Sequence, residues 1–254
     1  MRRLLVPFLA LGLLAGCGRE PEEAPQTSVQ NAAYATPPSI RSVTAAPGGG
    51  LEITGLAEAG ERIRLIEMDG TAHGVTAGED GGFNLTLPAA GPQDRLIAVN
   101  VQRAGRAVSA DGWLFSPAAA PERAVMLRPG GASLPVGEAP LIAAIDVDGA
   151  GGVAVSGVTE PGAEVELRVD GARSGVAQAD ATGRWSLALE APLAAGQHRF
   201  LAVSSSQRER TVDLAAVRPA APVETTPFDG GVRVAWALPG GGAQTTYLLL
   251  DPSP

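Results

Sequence analysis

The chain has 254 residues and a formal net charge of −8, with 27 acidic residues against 19 basic ones, every one of which is arginine. Such an acidic chain lacks the basic field that draws nucleic acid or anionic headgroups through counterion release, and its single cysteine and two histidines are too few for an internal disulfide, a thiolate cluster or a typical histidine metal centre. Hydrophobic residues reach 45% while aromatic ones reach only 4%, which suits thin two-layer domains better than one large core.

At the amino terminus Arg2 and Arg3 precede an apolar run over 4–14, followed by Ala15, Gly16 and Cys17. This is the pattern of a secretory signal with a positive start and a short apolar stretch. As a helix the run rises about 17 Å, roughly half of a bilayer core of about 30 Å, so it is too short for a stable transmembrane span. The string LAGC over 14–17 resembles the lipobox of bacterial lipoproteins. That resemblance implies a signal peptide over 1–16, diacylglyceryl transfer to the Cys17 sulfur, cleavage before Cys17 and acylation of the new amine. Two or three acyl chains hold a protein lastingly where one is marginal. Loss of Arg2 and Arg3 takes the side-chain charge from −8 to −10. Gly18 stands where an Asp in similar Gram-negative lipoproteins favours inner-membrane retention, so the resemblance implies outer-membrane sorting in such a cell.

Residues 17–38 are rich in Pro, Glu, Gln, Ala and Thr without apolar periodicity, and are read as a lipidated flexible tether. Beyond them the chain repeats itself. Gly50, Leu51, Ile53, Gly55, Gly60, Ile63 and Leu65 recur as Gly152, Val153, Val155, Gly157, Gly162, Val165 and Leu167. Asp69 and Gly70 match Asp170 and Gly171, Phe83 matches Trp185, and Val108 matches Val212. A repeat of this length is a duplicated domain.

Each copy shows period-two alternation broken by Gly, Pro and Asp. In the second copy strands are expected over 142–147, 153–158, 164–169, 176–179, 185–189, 198–204 and 211–217. Seven short strands in such a length signify an immunoglobulin-like sandwich. Pro161-Gly162 predicts a tight turn, and Asp180, Gly183 and Trp185 predict a turn that feeds an aromatic into the core. The combination resembles tandem bacterial Ig-like domains of envelope and adhesion proteins, over 39–117 and 140–218. Transthyretin-like sandwiches share the turn pattern and are the alternative fold. Between the copies, 118–139 forms a linker with a possible hairpin, and 219–254 forms a C-terminal extension in which Val232, Val234 and Trp236 face an arm over 247–250. That hairpin is expected to pack against or extend the second sandwich, because alone it is unstable and its edge aggregates.

Chemistry is sparse. His73 and His198 occupy non-equivalent positions of the repeat, and Ser204, Ser205 and Ser206 lack a nucleophile elbow or an identifiable histidine partner. No catalytic residue and no cofactor is therefore assigned. Asp146, Asp148 and Asp180 are weak calcium candidates, against the competing reading that each shapes a turn. Trp185 is expected in the core with Phe83. Trp236 and Tyr247 are the candidate binding surface, against the reading that both seal the hairpin onto its neighbour. The expected function is non-enzymatic: a lipid-anchored scaffold or adhesin-like interaction module of the cell envelope, held through acyl chains on Cys17. The alternative is an accessory lipoprotein that binds glycan or peptidoglycan, and the third is an envelope enzyme.

Overall fold

Alternating apolar and polar residues make strands, and a strand with one apolar face must bury it against a second sheet. The computed structural model describes residues 36–250 apart from 90, 207, 218–223 and 240. The expected signal peptide, Cys17 and most of the expected tether lie outside the described residues.

The first copy contributes β1 (Ser39–Ala46), β2 (Gly50–Leu56), β3 (Arg62–Glu67), β4 (Ala72–Thr76), β5 (Gly82–Leu87), β6 (Arg95–Arg103) and β7 (Arg106–Ser116). A short 3-10 turn at Pro121–Arg123 then leads to β8 (Val125–Leu127) and β9 (Leu134–Pro135). The second copy contributes β10 (Ala144–Asp148), β11 (Val153–Val158), β12 (Glu164–Val169), β13 (Ala172–Gln178), β14 (Arg184–Ala188), β15 (Gly196–Ser204) and β16 (Glu209–Ala216). The tail adds β17 (Glu224–Phe228), β18 (Gly231–Ala237) and β19 (Ala243–Leu249).

Pairing is antiparallel throughout, and the two copies share one wiring. In the first, β1-β2-β5 faces β4-β3-β6-β7; in the second, β10-β11-β14 faces β13-β12-β15-β16. The chain is all-β, with two Ig-like sandwiches. Conserved wiring extends to packing detail: Gly55 pairs with Phe83 in the first copy and Gly157 with Trp185 in the second. In the first copy the Phe83 ring lies where Gly55 has no side chain; in the second the Leu141 carbonyl lies where Gly157 has none. Trp185 is buried, and its Nε1 donates to the Leu141 carbonyl at 2.8 Å. Ile53, Ile63, Leu65 and Ile97 centre the first core, and Val155, Val165, Leu167 and Phe200 the second.

The strands outside the repeat enlarge the two sandwiches on different sheets. β8 and β9 extend the first copy's four-stranded sheet beyond β7, whereas β19, β18 and β17 extend the second copy's three-stranded sheet beyond β10. The tail hairpin thus extends the second sandwich, and Tyr247 packs edge-on against Phe228 with ring centroids 5.7 Å apart. β8 and β19 are buried on both faces. Leu114 and Met126 face the first core, Tyr247 and Leu249 face the second, and their neighbours turn the other way. Those neighbours, Phe115, Val125, Leu127, Val232, Val234, Trp236 and Leu248, form a third core between the extended sheets. Both sandwiches belong to one compact unit.

A buried polar knot closes this junction. Asp146 on β10 accepts hydrogen bonds from the Ser133 amide and hydroxyl at 2.6 and 2.7 Å, from Thr246 Oγ1 at 2.5 Å and from Gln244 Nε2 at 2.9 Å. Gln244 also bonds both Gly130 and Gly131, and Trp236 Nε1 donates to Thr246 Oγ1. The linking segment is thereby laid onto the second sandwich.

Candidate interaction surface

Trp236 and Tyr247 are both 3% exposed. Tyr247 presents no binding surface, and Trp236 contributes only an inner wall of a groove whose exposed side chains come from elsewhere. Trp236 fills the third core, while the Tyr247 hydroxyl donates to the Ala215 carbonyl at 3.0 Å and accepts from the Val217 amide at 2.9 Å. The alternative weighed from sequence, a hairpin sealed onto its neighbour, is what the geometry gives. The exposed tryptophan is Trp113, at 38%, and the exposed methionine is Met68, at 65%. Strand alternation explains Trp113: Leu114 points into the first core, so its neighbour must point outward.

Register places these side chains together. Ile66 on β3 pairs with Ala98 on β6, and Ala98 pairs with Trp113 on β7. The small Ala98 methyl between two large groups leaves a trough across the outer face of the sheet. Leu96 and Phe115 form the next row, at the margin of the third core. Trp236, Leu238 and Pro239 make a wall from the tail hairpin, and Met68 stands at the mouth, enclosing a groove of about 500 Å³. Gly112 sets the strand path beneath Trp113. At φ +121° a Cβ there would collide with the Leu127 carbonyl oxygen, so only glycine lets β7 and β8 approach.

One row further along the same face, Arg64 pairs with Asn100 on one side and Gly74 on the other. Arg62 and Arg64 are exposed and border a second hollow of about 440 Å³ over Gly74. Neither guanidinium has a hydrogen bond or ion pair among the described residues. Nearby acids are already engaged. Glu67 takes Arg95 Nη2 at 2.6 Å and His73 Nε2 at 3.0 Å, and Glu61 takes Arg103 Nη2 at 2.7 Å. The Arg103 hydrogen bond holds the Glu61 carboxyl below its ordinary value. Asn100 Oδ1 is shielded and has no donor among the described residues.

The other candidates are structural. Asp146 belongs to the buried knot, and burial pushes its carboxyl above the ordinary value despite the donors around it. Asp148 accepts from the Ala150 and Gly152 amides at 2.8 Å each, and Asp180 accepts from the Thr182 amide at 2.7 Å and the Arg184 amide at 3.0 Å. Each aspartate hydrogen-bonds its own surroundings, Asp148 and Asp180 through Oδ1. Among the described residues no group of three or more His, Cys, Asp or Glu comes together to hold a metal. Ser204 and Ser206 bond the Thr159 hydroxyl at 2.8 and 3.2 Å, tying the end of β15 to a turn. His198 Nδ1 and Nε2 meet Asp170 Oδ2 at 2.7 Å and the Ala194 carbonyl at 2.9 Å. Two acceptors ask for two ring N–H donors, and the Asp170 hydrogen bond raises the histidine above its ordinary value.

No family model and no curated protein matches the chain. Among solved structures, the BSP domain of a biofilm-associated protein is 17% identical over 73% of this chain, with a TM-score of 0.25; this chain spans 30% of that one. The D0-D1 domain of intimin is 13% identical over 71% of this chain and 98% of its own, with a TM-score of 0.28. A central fibronectin-III array of RIM-binding protein is 14% identical, with a TM-score of 0.29, covering 82% of this chain and 76% of its own. The fold assignment rests on the sheets themselves.

Proposed function

We propose that this chain is a non-enzymatic interaction module of the cell envelope, anchored through acyl chains on Cys17, which presents the outer face of its first sandwich to an envelope partner. The observation that carries this reading is the groove in which Trp113 and Met68, two large apolar side chains, stand exposed one row from Arg62 and Arg64, neither of which is paired among the described residues. Large apolar groups gathered on an otherwise polar surface lower the cost of docking there, since water leaves them readily. The third core supports the reading from the other side: it fixes Trp236 and Leu238 as a wall, so the groove is preorganised and loses little ordering entropy on binding. The LAGC string supports anchoring, and Gly18 favours the outer membrane.

The test is sedimentation of the full chain, in mild detergent, with envelope material isolated from cells that produce it. Wild type is expected to sediment with the envelopes, Trp113→Ala to remain in the supernatant, and Arg41→Gln, on the opposite sheet of the same sandwich, to behave as wild type. Equal sedimentation of all three, or of none, overturns the groove as the interaction site.

A further inference from the structure

We infer that the occupant of this face is a polysaccharide chain bearing carboxylates, lying from Trp113 across Ala98 and Ile66 to Arg64 and Arg62. The inference rests on the interaction reading above and names its ligand class. Neighbouring strands lie about 4.8 Å apart and alternate residues along one about 7 Å apart, so the Cα atoms of Trp113 and Arg64, two strands and one row apart, are separated by about 12 Å. Linked sugar rings span that distance, whereas one ring does not.

Three features select the chemistry. The first is the exposed indole of Trp113 above a shallow floor of Ala98 and Ile66, which matches the flat C–H face of a sugar ring. The second is polar lining in the next row: Arg64, Asn100 and Ser109 stand side by side across three strands, residue types that hydrogen-bond ring hydroxyls. The third is charge. A protein of net charge −8 repels polyanions generally, yet here Arg62 and Arg64 are unpaired among the described residues while Glu61 and Glu67 are engaged by Arg103 and Arg95. Guanidinium forks receive carboxylates in bidentate fashion.

An acidic peptide fits less well. Peptides gain most by adding a strand to a free sheet edge, but this groove crosses the face of β3, β6 and β7, each paired on both sides.

The experiment is calorimetric and tryptophan-fluorescence titration of the full chain with oligogalacturonate, with neutral maltooligosaccharide of equal length, and with an acidic-apolar peptide of alternating Glu and Leu. Oligogalacturonate is expected to bind and to shift the fluorescence, with affinity falling as salt rises. Trp113→Ala is expected to weaken it about tenfold and Trp113→Phe to retain most of it. Arg62→Gln with Arg64→Gln is expected to weaken it about tenfold and remove most of the salt dependence. Arg41→Gln should bind as wild type. Tighter binding of the neutral glycan or of the peptide, or loss of affinity in Arg41→Gln equal to that in the Arg62/Arg64 pair, overturns the inference. Absence of glycan binding in a protein that still sediments with envelopes through Trp113 overturns the ligand class alone. Absence of both removes the interaction reading beneath it.

Discussion

Ser133 donates from both its backbone amide and its hydroxyl to one carboxylate, that of Asp146, at 2.6 and 2.7 Å, with both residues buried. Through this pair the linking segment between the copies is fixed to the first strand of the second sandwich. Replacing Asp146 by Ala leaves the Ser133, Gln244 and Thr246 donors without their acceptor, and is expected to lower unfolding free energy by about 3 kcal/mol. Urea denaturation measures it.

The same carboxylate sets a pH dependence. Burial raises the folded-state value of Asp146 above the unfolded one. Its stabilising contribution is therefore complete below the ordinary carboxylate value and is lost as pH rises through the raised folded value. Stability measured against pH should fall over that window for wild type relative to Asp146→Asn, in which this proton is absent. Parallel curves would show that Asp146 does not titrate abnormally.

Trp236 joins two sandwiches, since its ring lies in the core shared by Phe115 and Leu127 of one and Val234 and Leu248 of the other. Trp236→Ala is expected to cost about 4 kcal/mol and to split a single denaturation transition into two, as each sandwich then unfolds with its own core. Retention of one sharp transition would show that other contacts couple the copies.

His198 should titrate late. With the Asp170 carboxylate and the Ala194 carbonyl on its two nitrogens, and Arg199 and Asp213 paired beside it at 2.7 Å, the imidazolium is the favoured form. Its contribution to stability is present below the ordinary histidine value and fades as pH climbs through the raised one. Histidine ring NMR should show a raised midpoint in wild type that returns toward the ordinary value in Asp170→Asn.

Much of this architecture was legible in the chain. The repeat marks which residues point inward, so the strands over 153–158 and 164–169 fall where alternation puts them, and Gly162 and Gly183 take φ of +76° and +82° in the expected turns. Phe83 and Trp185 were readable as core because they occupy one position in two copies. Trp236 was not, because the surface that buries it comes from residues more than a hundred positions earlier, and no local pattern announces a strand with two apolar faces to cover. Trp113 carried a usable signal, its alternation with Leu114, but nothing in the sequence shows that Ala98 and Ile66 lie beside it.

Anchoring is separable from the folded surface. Cys17→Ala is expected to abolish metabolic fatty-acid labelling and to leave an uncleaved or soluble product, detected by a mobility shift. Persistent labelling would contradict the lipobox reading.

The most direct measurement of the central claim is site-specific photocrosslinking in intact cells, with the reactive side chain placed at Met68 at the groove mouth and, separately, at Arg41 on the opposite sheet. The account predicts a crosslinked adduct of envelope material from position 68, lost when Trp113→Ala is added, and none from position 41. Equal adducts from both positions, or an adduct at 68 that survives Trp113→Ala, would contradict it.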